Sequence, residues 1–451
     1  MKTASSCPRP GHGWVSEAPD GAVSMKHVII GNGPAGVVAA ETLRKRRPGD
    51  DIVLIGDEPT PPYSRMAIPY LLIGNIDERG TWLRKDDGHF DRLCIRQVRG
   101  RVTSIDTSAR CVHLSEGQRF EYDRLLIATG STPVRPPISG LDSPFVQTCW
   151  TLADARNILQ LAKPGARVLQ MGAGFIGCII LEALAQRGVK LSVVEMGDRM
   201  VPRMMGEVAG GLIKRWCETK GVRVLTSTRV ESLSPGEGAD PIRAKFSNGS
   251  TEPFDLVIQA TGVRPNIGFL SGSAIRCLQG VLTDTRMQTS VEGIYAAGDC
   301  SESYDPITEQ TIVSAIQPNA VDQARVAAIN MSGGFAEEKV VTQINVLDTL
   351  GLISTSFGQW QGVKDGEHAE LSDPDNFRYL RLEFSDDVLV GANSLGMTEH
   401  VGVMRGLVEG QVKLGDWKDR LKADPTRLSE AYLAATQAAE PFQGRARGTS
   451  R

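Results

Sequence analysis

The sequence predicts an α/β chain with two parallel-sheet, nucleotide-binding halves and an α+β region behind them. Three observations carry this. A short apolar strand runs into a glycine-rich turn and then a helix; the same order returns later in the chain; and each copy is closed by a further apolar strand that ends in Ala-Thr-Gly.

The first copy opens with Lys26-His27-Val28-Ile29-Ile30, stops at Gly31-Asn32-Gly33-Pro34-Ala35-Gly36 and continues from Val37 to Arg47 as an amphipathic helix. Asp51 to Ile55 reads as the next strand. It ends at Gly56-Asp57-Glu58, so an acid stands twenty-two residues beyond Gly36, as a βαβ dinucleotide unit requires. The second copy runs from Arg167-Val168-Leu169-Gln170-Met171 into Gly172-Ala173-Gly174-Phe175-Ile176-Gly177. A helix from Cys178 to Arg187 and a strand from Lys190 to Val194 follow, ending at Glu195. One such turn is a weak signal, because glycine turns are common. Two, each with its acid in place, are a strong one. Strands ending in Ala128-Thr129-Gly130 and Ala260-Thr261-Gly262 close the two halves. In the last region Val341–Val346, Leu352–Gln359, Arg378–Phe384 and Val388–Asn393 read as strands, and Glu399–Val412 and Leu428–Ala438 as helices. The expected layout is an extension at 1–24, one nucleotide domain from 25–148 and 265–338, a second at 149–264, and a C-terminal domain at 339–451.

The remaining composition excludes more than it assigns. At 41% hydrophobic and 23% charged residues with a net charge of −3, the chain has no field suited to nucleic acid or an acidic membrane. The basic run Arg44 to Arg47 reads as the solvated end of a helix. None of the eight cysteines has another within fifteen residues, and the six histidines show no close pairing, so no metal of the chain's own is expected. Met1 to Ser24, rich in Pro, Gly and Ser, is expected to be a disordered extension in which Cys7 and His12 bind nothing. It has no apolar stretch of the kind a secretory signal needs, and a cytoplasmic protein is expected.

In each turn the first glycine permits the bend, the second leaves room for a pyrophosphate, and the third lets the helix pack close, so that helix amides face the phosphates. The acid at the second strand end accepts ribose hydroxyls: Glu58 or Asp57 for FAD, and Glu195 for NAD(H). Glu195 also repels a 2′-phosphate, which favours NADH over NADPH, with Arg199 close enough to offset it.

Downstream, Thr289-Ser290-Val291-Glu292-Gly293-Ile294-Tyr295-Ala296-Ala297-Gly298-Asp299 looks like the second flavin motif of a known family. From Lys26 to the C-terminus the chain resembles the single-FAD branch of the pyridine nucleotide-disulfide oxidoreductase superfamily. The resemblance implies a glutathione reductase-like fold of two Rossmann-like domains and a C-terminal α+β interface domain. It implies that Asp299 bonds the ribityl or pyrophosphate region of FAD, that Gly298 lets the flavin approach, and that Gln317-Pro318-Asn319-Ala320 opens a helix facing the flavin. Val102 and the Ala128-Thr129-Gly130 turn join Gly31, Gly33, Pro34, Ala35 and Gly36 as FAD contacts, while Ala260, Thr261 and Gly262 join Gly172, Gly174, Phe175, Ile176 and Gly177 at NAD. The stretch from Gly56-Asp57-Glu58-Pro59 to Pro62-Tyr63-Ser64-Arg65 is similar to rubredoxin and ferredoxin reductases and to the flavin module of assimilatory nitrite reductase, which would lay Arg65 along the FAD.

The chain also departs from that family. It has no cysteine pair five apart and no C-terminal His-Glu pair, as disulfide reductases have. Ala67-Ile68 and Pro34 stand where the peroxidase and oxidase branch has a cysteine and a histidine, and Tyr70 stands where many rubredoxin-type reductases carry a lysine. Hydride exchange between nicotinamide and flavin remains, with no catalytic side chain required, and an iron–sulfur protein or subunit as the partner for single electrons. Gly391-Ala392-Asn393-Ser394-Leu395-Gly396 and Leu414-Gly415-Asp416-Trp417 resemble the NAD-coupling FAD subunits of phenylglyoxylate dehydrogenase and tungsten aldehyde oxidoreductase complexes. The expected function is therefore the NAD-reducing subunit of a multi-subunit aldehyde or 2-oxoacid oxidoreductase. The alternatives are a free-standing NADH:rubredoxin/ferredoxin reductase and a flavin scaffold whose redox state controls association. Trp360, Trp417 and Met397 are read as packing residues, and His400 as a residue able to approach the flavin.

Overall fold

The computed structural model describes residues 24–238, 240–305, 309–338 and 344–439. The expected extension, apart from Ser24, lies outside them. Contacts divide the chain into two compact units. The first takes the described residues of Met1–Val134, Trp150–Ala155 and Val263–Val341, and the second those of Arg135–Cys149, Arg156–Gly262 and Thr342–Arg451.

The first unit is built on a five-stranded parallel sheet in the order Ile294–Ala296, Arg124–Ile127, Lys26–Ile30, Asp51–Gly56, Ile95–Arg99. Its central strand is buried from His27 to Ile30, which is why it reads as a continuous apolar run and not as an alternating one. The turn is shorter than the sequence suggests. The helix begins at Pro34 and ends at Arg46, because proline has its φ preset for the first helical position and gives up only an amide that no carbonyl in the helix would meet. This helix packs its Ala35, Ala39 and Ala40 in one core with Ala320, Ala324, Ala327 and Ala328 of the helix Gln317–Met331. Side chains of one methyl let the two backbones come close. The basic run is not all solvated. Arg44 donates from Nε to the Leu93 carbonyl at 2.7 Å and from Nη2 to that of Cys94 at 2.9 Å, because its fork meets two bare carbonyls, while Lys45 and Arg46 stay exposed.

The second unit repeats the plan with a parallel sheet in the order Arg223–Leu225, Lys190–Val194, Arg167–Met171, Leu256–Gln259, Val146–Gln147. Its turn helix spans Phe175–Gln186, again starting earlier than expected. The repetition reaches single hydrogen bonds. Asp123 accepts the Lys26 amide at 2.7 Å and Asp255 accepts the Arg167 amide at 2.7 Å, each fastening the start of the central strand to the start of its Ala-Thr-Gly neighbour. Both halves insert a three-stranded antiparallel meander ahead of that neighbour, Val102–Asp106, Cys111–Leu114 and Arg119–Glu121 in one, Val230–Pro235, Ile242–Phe246 and Thr251–Phe254 in the other. Neither meander stands among the expected strands.

The C-terminal part of the second unit is a five-stranded antiparallel sheet in the order Ile344–Thr349, Leu352–Gly358, Val388–Leu395, Arg378–Ser385, Glu367–Asp373, with helices Val401–Glu409, Trp417–Ala423 and Leu428–Ala439. Of the first expected strand, residues 341–343 lie outside the described residues. The strand Glu367–Asp373 and the helix Trp417–Ala423 are additions to the sequence reading. Ala369 is the one fully buried residue of that edge strand, so no apolar alternation marks it. Trp360 and Met397 are buried, and Trp417 lies under Arg420 and Arg427, with guanidinium-to-ring distances of 4.7 and 5.2 Å. All three pack as expected. His400 precedes the helix Val401–Glu409, and its Nδ1 pairs with Ser429 Oγ at 3.1 Å. Among the described residues no helix is long and apolar enough to cross a membrane.

Candidate functional site: two dinucleotide cradles

The three glycines of each turn do three different things. Gly31 has φ +111°, and a β-carbon there would fall 2.0 Å from the Ala128 carbonyl oxygen. Gly36 is equally closed, since a β-carbon would lie 1.8 Å from the Gly31 carbonyl oxygen. Gly33 is open: nothing lies within 4 Å of an added β-carbon. In the second unit Gly172 has φ +99° and would clash with the Ala260 carbonyl oxygen at 2.3 Å, Gly177 with that of Gly172 at 2.6 Å, and Gly174 faces open space. Gly33 and Gly174 are also the N-caps of their helices, and neither supplies a side-chain cap. Open space in front of bare, positively polarised amides is what a pyrophosphate needs. A β-carbon at Gly33 or Gly174 would fill that space. Each cradle therefore fits the phosphates of a dinucleotide.

The first cradle gathers most of the expected FAD residues. Gly31 meets Ala128 across the turn. Gly298, with φ +80°, sits where a β-carbon would come within 3.3 Å of the Ala320 β-carbon and 3.5 Å of that of Ala35. Its amide donates to Gln323 Oε1 at 2.8 Å. Asp299 accepts the Ser131 hydroxyl at 2.7 Å, and burial raises its carboxyl pKa while Ser131 and the charge of Arg65 oppose the rise. Gln317 opens its helix, Pro318 follows in the first turn, and the Gln317 side chain accepts the Ser64 hydroxyl at 2.6 Å. Thr129 donates from Oγ1 to the Asn266 carbonyl at 2.8 Å and accepts Asn266 Nδ2 on its own carbonyl at 2.9 Å, while Gly130 turns at φ +65°.

Asp57 and Glu58 part company in the structure. Asp57 is exposed and paired with Arg101 at 2.8 Å. Glu58 accepts the Tyr63 phenol on Oε2 at 2.6 Å and Arg65 Nη2 on Oε1 at 2.8 Å. Burial, and then Glu58 itself, push the Tyr63 phenol well above its ordinary pKa, so it stays a donor. Arg65 also donates to the Trp150 carbonyl at 2.6 Å and lies 5.2 Å from the Trp150 ring. Val102 is half-buried and packs on the core beneath the meander.

In the second cradle Glu195 accepts the Ala173 amide on Oε2 and the Gly197 amide on Oε1, both at 2.8 Å. Phe175 and Ile176 are half-buried at the helix start, Gln259 Nε2 donates to Thr261 Oγ1 at 3.2 Å, and Gly262 turns at φ +96°. Arg199 is turned to the Met205 carbonyl and to Asp198. Sequence reasoning missed Ser131, Trp150, Asn266 and Gln323. No short motif marks them, because each acts through a partner far along the chain.

A family model described as pyridine nucleotide-disulphide oxidoreductase matches residues 25–327. The chain belongs to that family. It is an FAD-dependent NAD(P)H oxidoreductase, and its cofactors are FAD and NAD(H). It is 28% identical over 414 residues to the epsilon subunit of NADH-dependent phenylglyoxylate dehydrogenase from Aromatoleum evansii, covering 91% of this chain and 98% of the relative. It is 32% identical over 348 residues to an NADH oxidase from Methanocaldococcus jannaschii, covering 74% of this chain and 77% of the relative. Among solved structures, the covalent putidaredoxin reductase–putidaredoxin complex superposes with a TM-score of 0.84 at 21% identity, over 92% of this chain and 100% of that one, a likeness of fold alone.

Proposed function

We propose that this pyridine nucleotide-disulphide oxidoreductase exchanges a hydride between NAD(H) and its FAD and passes single electrons to an iron–sulfur partner, as the NAD-reducing subunit of a multi-subunit aldehyde or 2-oxoacid oxidoreductase. The observation that carries the reading is the pair of cradles: two turns with an open middle glycine before an uncapped helix, each in its own parallel sheet. Bound FAD would supply the ability to take two electrons at once and release them singly. The chain's residues would bind and orient. Gly33, Gly298 and the starts of the helices Pro34–Arg46 and Gln317–Met331 would hold FAD, with Glu58 on its ribose. Gly174 and the start of Phe175–Gln186 would hold NAD(H), with Glu195 on its ribose. Ala67 leaves no thiol at the position where the oxidase branch has one.

The subunit role is supported by the phenylglyoxylate dehydrogenase relative, which is itself a subunit and is matched over nearly its whole length, past the end of the family model at residue 327. Purification from the native host tests it. The chain should copurify with iron–sulfur and substrate-binding subunits identified by mass spectrometry. Migration alone, with rapid reduction of a ferredoxin, would reject the subunit role and leave the free-standing reductase. The redox reading is tested separately: the flavin should bleach anaerobically on addition of NADH. A flavin that never bleaches rejects electron transfer altogether.

A further inference from the structure

We propose that Trp150 is a positioning residue of the flavin cradle, holding in one hydrogen-bonded chain the two charged groups, Arg65 and Asp299, that come from opposite ends of the first unit's sequence. This rests on the reading of that cradle as the FAD site.

Trp150 is fixed before it touches either group. Its amide and that of Thr151 both donate to Asp154 Oδ2, at 2.8 and 3.0 Å, and the Asp154 amide donates back to Thr151 Oγ1 at 3.1 Å. This is a capping box at the start of the helix Leu152–Leu161, with Thr151 as the cap and Asp154 three residues on. A residue just outside a capped helix has little backbone freedom left.

From that position Trp150 reaches two ways. Its carbonyl accepts Arg65 Nη1 at 2.6 Å and its ring lies 5.2 Å from the guanidinium, while the Tyr63 ring lies 5.8 Å away. With Nη2 on Glu58, the guanidinium is held on its edge by two acceptors and lies within cation–π range of both rings. In the other direction the indole Nε1 donates to the Ser131 carbonyl at 3.0 Å, and the Ser131 hydroxyl donates to Asp299 at 2.7 Å. Ser131 is buried, so its carbonyl has no ready solvent substitute for the indole. The line Glu58–Arg65–Trp150–Ser131–Asp299 thus joins the ribose-type acid to the second flavin motif.

The test uses apoprotein, stripped of flavin, and titration with FAD followed by flavin fluorescence. Trp150→Phe keeps an aromatic ring beside Arg65 and removes the indole N–H together with the second ring of the bicycle. It should weaken FAD binding about tenfold at a temperature where the apoprotein is still fully folded, which its own melting curve checks. Trp150→Ala, which removes the ring as well, should weaken it further. Because the N–H acts through Ser131, Trp150→Phe should have no added effect in a Ser131→Ala background. Unchanged FAD affinity in Trp150→Phe, or effects of the two substitutions that simply add, would overturn the proposal while leaving the FAD reading intact. A wild-type protein that takes up no FAD would instead overturn the reading on which it rests.

Discussion

The two nucleotide folds of this chain share a backbone and differ in how they hold their acids. Ladder register, the clash partners of the closed glycines and even the aspartate that fastens the central strand recur in both. Yet Glu58 is held by two side chains, Tyr63 and Arg65, and Glu195 by two backbone amides, those of Ala173 and Gly197. A backbone site changes little when side chains change. A side-chain site can be retuned residue by residue, and the first unit has placed its charge and aromatic rings there.

The largest expected effects separate closed glycines from open ones. Gly31→Ala and Gly172→Ala each force an L-residue to a positive φ and into a carbonyl, and each should destabilise its unit by several kcal/mol, about 3–5, in chemical denaturation. Gly33→Ala and Gly174→Ala meet nothing and should leave the melting of the ligand-free protein unchanged. The first should come off the column colourless, and the second should stay yellow with an NADH KM raised about tenfold or more. A Gly33→Ala apoprotein that melts earlier than wild-type apoprotein would break the assignment of that glycine to a ligand.

Next come the acids. Glu195→Ser removes the charge facing a 2′-phosphate and should shift the NADPH:NADH ratio of kcat/KM upward by about tenfold to a hundredfold. An equal preference already in the wild type would refute the role given to Glu195. Glu58→Gln keeps the acceptor for one neighbour and loses the ion pair with Arg65, so FAD affinity should fall while the nucleotide ratio stays fixed.

Acid should tell the two units apart more gently. His27, in the central strand of the first sheet, is buried against Asp50 at 2.8 Å; the same register position in the second sheet is Val168. Burial lowers the His27 pKa, although Asp50 opposes it. The unfolded chain takes up a proton near pH 6.5 and the folded chain resists it, so stability is present above that pH and is lost as pH falls through it. Melting curves between pH 8 and 5 should show the first unit weakening first, and His27→Gln should flatten that dependence. The smallest effect is expected at the exposed Asp57–Arg101 pair, where Arg101→Ala should change stability and FAD affinity by no more than about 0.5 kcal/mol. A large loss there would reopen the choice between Asp57 and Glu58.

What could be read from sequence follows the same division. The glycine turns and the Ala-Thr-Gly strands are local: a φ above zero or a missing β-carbon leaves its mark in a few adjacent letters. Asn266 on Thr129 and Ser131 on Asp299 act across 137 and 168 residues, and neither leaves a local pattern. Trp150 was invisible for the same reason. The helices of the turns start earlier than the glycine spacing suggests because Pro34 and Phe175 are already helical. The edge strand Glu367–Asp373 escaped because its face toward solvent is charged and its inner face holds little more than Ala369.

The alanine seam between the helices Pro34–Arg46 and Gln317–Met331 has a consequence for how this molecule can vary. Where two helices touch through single methyl groups, their spacing is the smallest a side chain permits, and almost any exchange along the seam adds volume. Substitution there has one direction, outward. The two helix starts that flank Gly298 are therefore set by a gauge that drift can widen and hardly ever narrow, and tolerance to change should be lowest in residues that carry no chemistry at all.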